Sequence, residues 1–146
     1  MGKRRRAREL ALQYLYQWDF HGQNGKEVAD LFWESRNDGP QIKSFAESLL
    51  RGIEDKREEI DRKIEAQSSH WKLYRMSRVD RSILRLATYE ILFCPDIPPK
   101  VSIDEAIEIA KKFGTNESSS FINGILDQVN KSLQSATAPQ DDKPRP

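Results

Sequence analysis

One cysteine and two histidines are all that this 146-residue chain offers to thiol or imidazole chemistry. Cys94 alone excludes an intramolecular disulfide and fits a reducing compartment. His21 and His70 stand far apart from it and from each other, which leaves no metal-ligand spacing. The phosphate-cradling patterns GxxxxGK[ST] and GxGxxG are missing, and so is the nucleophile pattern GxSxG. No run reaches the roughly 18 apolar residues that a membrane helix needs. The basic N-terminus is not followed by an unbroken apolar stretch, because Glu9, Gln13 and Gln17 intervene, and this argues against a secretory signal. No segment alternates with the period of two that strands require. The expectation is a soluble, cytoplasmic, all-α protein with no cofactor, no metal and no catalytic role.

Charge is plentiful and unevenly placed. Charged residues make up 32% of the chain, the net charge is only +1, and mean hydropathy is −0.76. Five cations, Lys3, Arg4, Arg5, Arg6 and Arg8, crowd the start, so the remainder of the chain is acidic overall. A helix N-terminus already carries roughly half a positive charge, so cations there are disfavoured by some tenths of a kcal/mol. An anion is therefore expected to compensate them. Arginines at a helix start are well suited to phosphate, and Tyr14 and Tyr16 further along offer rings on which bases can stack. Two other readings of GKRRRAR stay open, a solvated charge run and an import-type basic peptide.

Helical periodicity organises the rest. Ala7, Leu10, Ala11, Tyr14, Leu15 and Trp18 define one stripe of a first helix, with Leu12, Tyr16 and Phe20 beside it, and Gly22 and Gly25 close it. A shorter helix is expected over 26–36, ended by Asn37-Asp38-Gly39-Pro40, and a long one over 41–66. Residues 67–77 read as a connection around Trp71, Leu73 and Tyr74. Ser77 opens a helix to about Cys94 whose apolar residues lie on most sides, as in a central helix. Ser102-Ile103-Asp104-Glu105 reads as a capping box, stapled by Val101 and Ala106, and Gly114 ends that helix. The last helix follows the loop TNESS, with Asn123 expected in a buried hydrogen bond and Gly124 at a close packing contact. The predicted organisation is one domain over 1–134, made of two small antiparallel bundles sharing a core (1–66 and 77–134), then a disordered tail over 135–146.

Three stretches, RRRARELALQYLYQWD, VDRSILRLATYEILF and IPPKVSIDEAIEIAKKFGTNESSSFINGILD, occur in an order and spacing that resemble the NusB family of transcription antitermination factors. The resemblance covers nearly the whole chain; residues 67–76 and the tail do not align convincingly. It implies a small helical adaptor that binds single-stranded boxA RNA together with the ribosomal protein NusE, inside an RNA polymerase antitermination complex on ribosomal RNA operons. By this likeness RNA would lie over Arg4, Arg5, Arg6, Arg8, Tyr16, Arg85, Glu117 and Phe121, with Lys3 from the same cluster. NusE would meet Asp80, Tyr89 and Glu90. The residues also admit plainer roles: Tyr16 as a core aromatic, Arg85 as one half of a salt bridge across the bundle, Glu117 as a first-turn acid, and Cys94 as a packed thiol. Two other functions stay open, an RNA-binding domain serving an rRNA methyltransferase and a helical adaptor that binds no RNA.

Overall fold

A computed structural model describes residues 2–22, 25–68 and 71–142, with the backbone alone at Ser35 and at 135–142. His70 and residues 143–146 lie outside the described residues. Seven α-helices follow one another without a strand among the described residues: α1 (Lys3–His21), α2 (Gly25–Phe32), α3 (Pro40–Asp55), α4 (Arg57–Gln67), α5 (Arg78–Phe93), α6 (Pro99–Phe113) and α7 (Ser118–Asp142). Gly22 ends α1 at a φ of 60°, a conformation costly for a side chain with a Cβ. Ser77 caps α5 as its sequence predicts, its hydroxyl accepting from the Asp80 amide at 3.0 Å.

α1 packs on α2 and α3 on one side and on α5 on the other, which accounts for its double apolar stripe. α5 is the shared element, in contact with α1, α3, α4, α6 and α7. One apolar cluster runs through both halves, from Leu12 and Leu15 through Ile83 and Leu84 to Ile122 and Leu126.

Three expectations are corrected. The helix predicted over 41–66 is two helices, because the backbone leaves the helical well at Lys56 (φ −108°, ψ 20°). Leu49, Leu50 and Ile53 of α3 are buried before the break, while Ile60 and Ile64 beyond it belong to a helix packed on α5 and α7. The capping box does not form. Pro99 occupies the first turn of α6, so the Ser102 amide is already bonded to the Pro98 carbonyl at 3.3 Å, and Val101 is exposed rather than stapled. Asn123 and Gly124 are both exposed, and a Cβ on Gly124 would meet nothing within 4 Å. The described backbone of α7 runs to Asp142.

The strongest polar tie in the interior joins three helices. Arg8 of α1 and Glu90 of α5 are 4% and 1% exposed, and the guanidinium donates to both carboxylate oxygens at 2.7 and 2.9 Å. The Ser102 hydroxyl of α6 donates to the same carboxylate at 2.7 Å. Removing one member of such a pair leaves the other charge buried and unmatched, at a cost of about 3–5 kcal/mol. Urea denaturation of Glu90→Gln and Arg8→Met is therefore expected to show losses of that order, whereas Arg8→Met with Glu90→Leu recovers a large part of the loss.

Candidate nucleic-acid interface

The basic start of α1 is compensated largely by the chain's own acids. Arg5 donates a fork of two bonds to Glu105 of α6, at 2.8 and 2.7 Å. Arg6 lies 3.4 Å from Asp38 and 3.5 Å from Glu9, and Glu9 in turn accepts from Lys112 at 3.1 Å. The Arg5 fork holds the Glu105 carboxyl below the usual carboxylate range, against the opposing push of burial. Lys3 bonds the side chain of Gln41, and Arg4 lies 4.6 Å above the Phe45 ring. Lys3 and Arg4 are the members of the cluster that stay exposed.

Arg5, Glu9, Tyr16 and Phe20 share one face of α1, an edge that leads toward the start of α5. Lys3 and Arg4 stand at the N-terminal end of that edge, turned toward Gln41 and Phe45 of α3. Side chains tie α1 to α6 at two successive rungs, Arg5–Glu105 and then Glu9–Lys112. Beyond the end of α6, Tyr16 stacks on Phe20, with ring centres 6.0 Å apart and planes at 8°. The Arg78 guanidinium sits 5.1 Å from the Phe20 ring and leads into a groove of about 230 Å³. Trp71, Arg75, Met76, Asp80, Glu117 and Phe121 line that groove, with Trp71 edge-on to Phe121 at 6.5 Å. The Ser118 hydroxyl donates to Asp80 at 2.7 Å and accepts from the Thr115 amide at 2.9 Å, which fixes the 115–118 loop against α5. Residues 4 and 20 of α1 are about 24 Å apart along the helix axis. The edge is therefore long, polar at one end and aromatic at the other.

This geometry sorts the residues named from sequence. Lys3, Arg4, Tyr16, Glu117 and Phe121 line the edge or the groove, and Arg5 and Arg6 are half-buried beside it. Four others are interior. Arg8 and Glu90 are bonded to each other in the interior: Glu90 presents no face to a protein, and Arg8 shows only an edge of its guanidinium, at the groove beside Glu105. Arg85 is 8% exposed and donates to Asp61 at 2.9 and 3.2 Å, so it is the cross-bundle salt bridge. Tyr14, considered as a stacking ring, is buried with its hydroxyl bonded to Asp30. Asp80 and Tyr89 do not share a surface either. Nine residues apart on α5, they lie on opposite faces, and a Cβ on Gly52 of α3 would come within 2.0 Å of the Tyr89 hydroxyl. Cys94 is half-buried and burial pushes its thiol up, which disfavours the thiolate. Among the described residues no group of His, Cys, Asp and Glu is placed to hold a metal ion, and no helix is long and apolar enough to cross a membrane.

The family model described as the NusB family matches residues 5–131. The chain belongs to the NusB family. Its relatives include the transcription antitermination protein NusB of Desulfatibacillum aliphaticivorans, 52% identical over 91% of this chain and 93% of that one. The NusB of Geobacter sulfurreducens is 49% identical over 91% of this chain and 97% of its own length. Among solved structures, T. maritima NusB superposes with a TM-score of 0.78 at 42% identity, covering 88% of this chain and 90% of that one. A crystal structure of the antitermination factors NusB and NusE in complex with dsRNA has a chain that matches with a TM-score of 0.78 at 28% identity, over 90% of this chain and 98% of that one.

Within this NusB-family fold, sequence reading missed Phe20, Trp71, Arg75 and Arg78. A signal for Trp71 was present: a large aromatic in a polar connection with no stripe to join, which the structure leaves 48% exposed. Phe121 tests the split between interface and core. It is half-buried at the groove, whereas Ile125 one turn on is buried in the core. Truncating a fully buried large apolar residue costs about 2–5 kcal/mol. Thermal melts are expected to show Ile125→Ala clearly destabilised and Phe121→Ala much less so.

Proposed function

We propose that this chain is an RNA-binding transcription antitermination factor of the cytoplasm, which recognises boxA-type single-stranded RNA in nascent rRNA transcripts together with NusE as part of an RNA polymerase antitermination complex. The observation that carries the reading is the match to NusB antitermination proteins over nine-tenths of this chain and of theirs. The relatives that match over this length are antitermination proteins by name, which favours that function over service to a methyltransferase. The α1 edge supports the RNA side, with Lys3 and Arg4 exposed for phosphates and Tyr16, Phe20 and Phe121 available for bases. Glu117, an acceptor only when ionised, suits a base amino group. The acidic remainder of the chain suits a basic ribosomal protein.

Lys3 and Arg4 are the cleanest probes. Reversing Arg5 or Arg6 would set like charges against Glu105, Asp38 and Glu9 and disturb the fold. Lys3→Glu with Arg4→Glu is expected to leave the melting temperature nearly unchanged and to weaken RNA binding strongly in an electrophoretic titration. Wild-type affinity falls with salt at a log–log slope of about −0.7 per neutralised phosphate. A salt-independent affinity refutes the reading.

The NusE side is tested by calorimetry with and without boxA RNA. Linkage requires that the factor by which NusE tightens RNA binding equals the factor by which RNA tightens NusE binding. The expected result is equal factors greater than one; no association of the two proteins under either condition refutes the partnership.

A further inference from the structure

The Arg5–Glu105 pair stands in a groove of about 460 Å³ between the start of α1, the Cys94–Pro98 turn and α6. Arg4, Arg5, Arg8, Asp96, Ile97 and Glu105 line it. The Glu105 carboxylate takes both forked donors of Arg5 and lies 3.9 Å from an Arg8 nitrogen. Two guanidinium groups thus converge on one anionic group, with a third arginine on the same wall. Bidentate capture of a carboxylate and of a phosphate by arginine is the same geometry. Unlike the pair between Arg8 and Glu90, this one is open enough to exchange: the side chains are 30% and 18% exposed.

We propose that Glu105 occupies the place of an RNA phosphate in this groove of the free protein, and that its displacement from Arg5 sets the affinity for RNA. The inference rests on the functional reading above and adds a residue that lowers affinity rather than raising it. Any phosphate that engages Arg5 must break two charge-assisted bonds before it makes its own. The pair also holds the start of α1 on α6, so the guanidinium is pre-aimed into the groove while its charge is masked.

The test is a double-mutant cycle on the full chain, read by fluorescence anisotropy with a short labelled boxA RNA. Glu105→Gln is expected to bind about fivefold tighter than wild type, the equivalent of roughly 1 kcal/mol. In an Arg5→Gln background the same substitution should give no gain, because there is no fork left to release. Glu108→Gln, which removes an exposed acid paired with Lys111 on the same helix, serves as the control for general charge and should change little. Glu105→Asp keeps the charge but shortens the reach, and a smaller gain is expected from it; this arm carries the test should Glu105→Gln melt early. An equal gain with and without Arg5, or in Glu108→Gln, means long-range repulsion and overturns the inference. So does unchanged or weaker binding by both Glu105 variants. Wild-type chain that fails to bind the RNA overturns the functional reading itself, whereas wild-type binding without a gain in the variants overturns only the role of Glu105.

Discussion

The buried contact between Arg8 and Glu90 is the constraint on which the site geometry depends. It fixes the first turns of α1 against the last turn of α5, and through Ser102 it fixes α6 to both. Two desolvated charges at this junction tolerate little displacement, since each lost bond exposes an unmatched ion to the interior. The basic run at the start of the chain is therefore the end of a helix clamped into the core. Lys3 and Arg4 project from a fixed base, which lowers the entropy that any ligand has to remove on binding.

The electrostatics of α1 follow from the same arrangement. Cations at a helix N-terminus call for an anion, and the fold brings four acids to them from elsewhere in the chain or one turn along: Asp38, Glu9, Glu90 and Glu105. The compensation is graded by burial. Arg8 is fully committed, Arg5 and Arg6 are partly so, and Lys3 and Arg4 meet the Gln41 side chain and the Phe45 ring and face solvent. A cluster that reads as five equivalent charges is thus one structural residue, two masked ones and two outward ones. Reversal of all of them at once confounds folding with binding, and this is why the substitutions have to be chosen by burial.

Much of the architecture was legible because helix periodicity is a local signal. The Ser77 cap, the apolar surround of α5 and the end of α1 at Gly22 all follow from neighbours in sequence. What stayed hidden depends on partners far along the chain. Ser102 and Glu105 have the spacing of a capping box, but Pro99 starts the helix earlier, and both side chains are drawn to residues of other helices. The break at Lys56 leaves the pattern of apolar residues almost continuous, so periodicity alone does not reveal it. For the site, the type and order of the residues pointed to the α1 edge, but not which of them were interior. A sign was available for Arg8: it lies in phase with Ala11, Leu12 and Leu15, on the buried stripe of α1. Glu90 is likewise in phase with Ile83, Leu86 and Ala87. A charge that falls on an apolar stripe in two helices of one chain is the signature of a buried pair, since neither is tolerated there alone.

The shape of the edge bears on what kind of nucleic acid it suits. Its cationic end and its aromatic groove are separated by about 24 Å of α1, with Tyr16 and Phe20 on the way to the groove. Phosphate contacts at one end position a strand without reading its sequence, and rings at the other accept only bases that are out of a helix. A duplex offers its phosphates to Lys3 and Arg4 but keeps its bases from Phe121 and Trp71. A single strand has both phosphates and free bases to present, and two such contacts on one strand would act as linked modules whose effective concentration is set by the length of chain between them. An unpaired strand long enough to span that separation is the ligand whose phosphates and bases suit both ends at once.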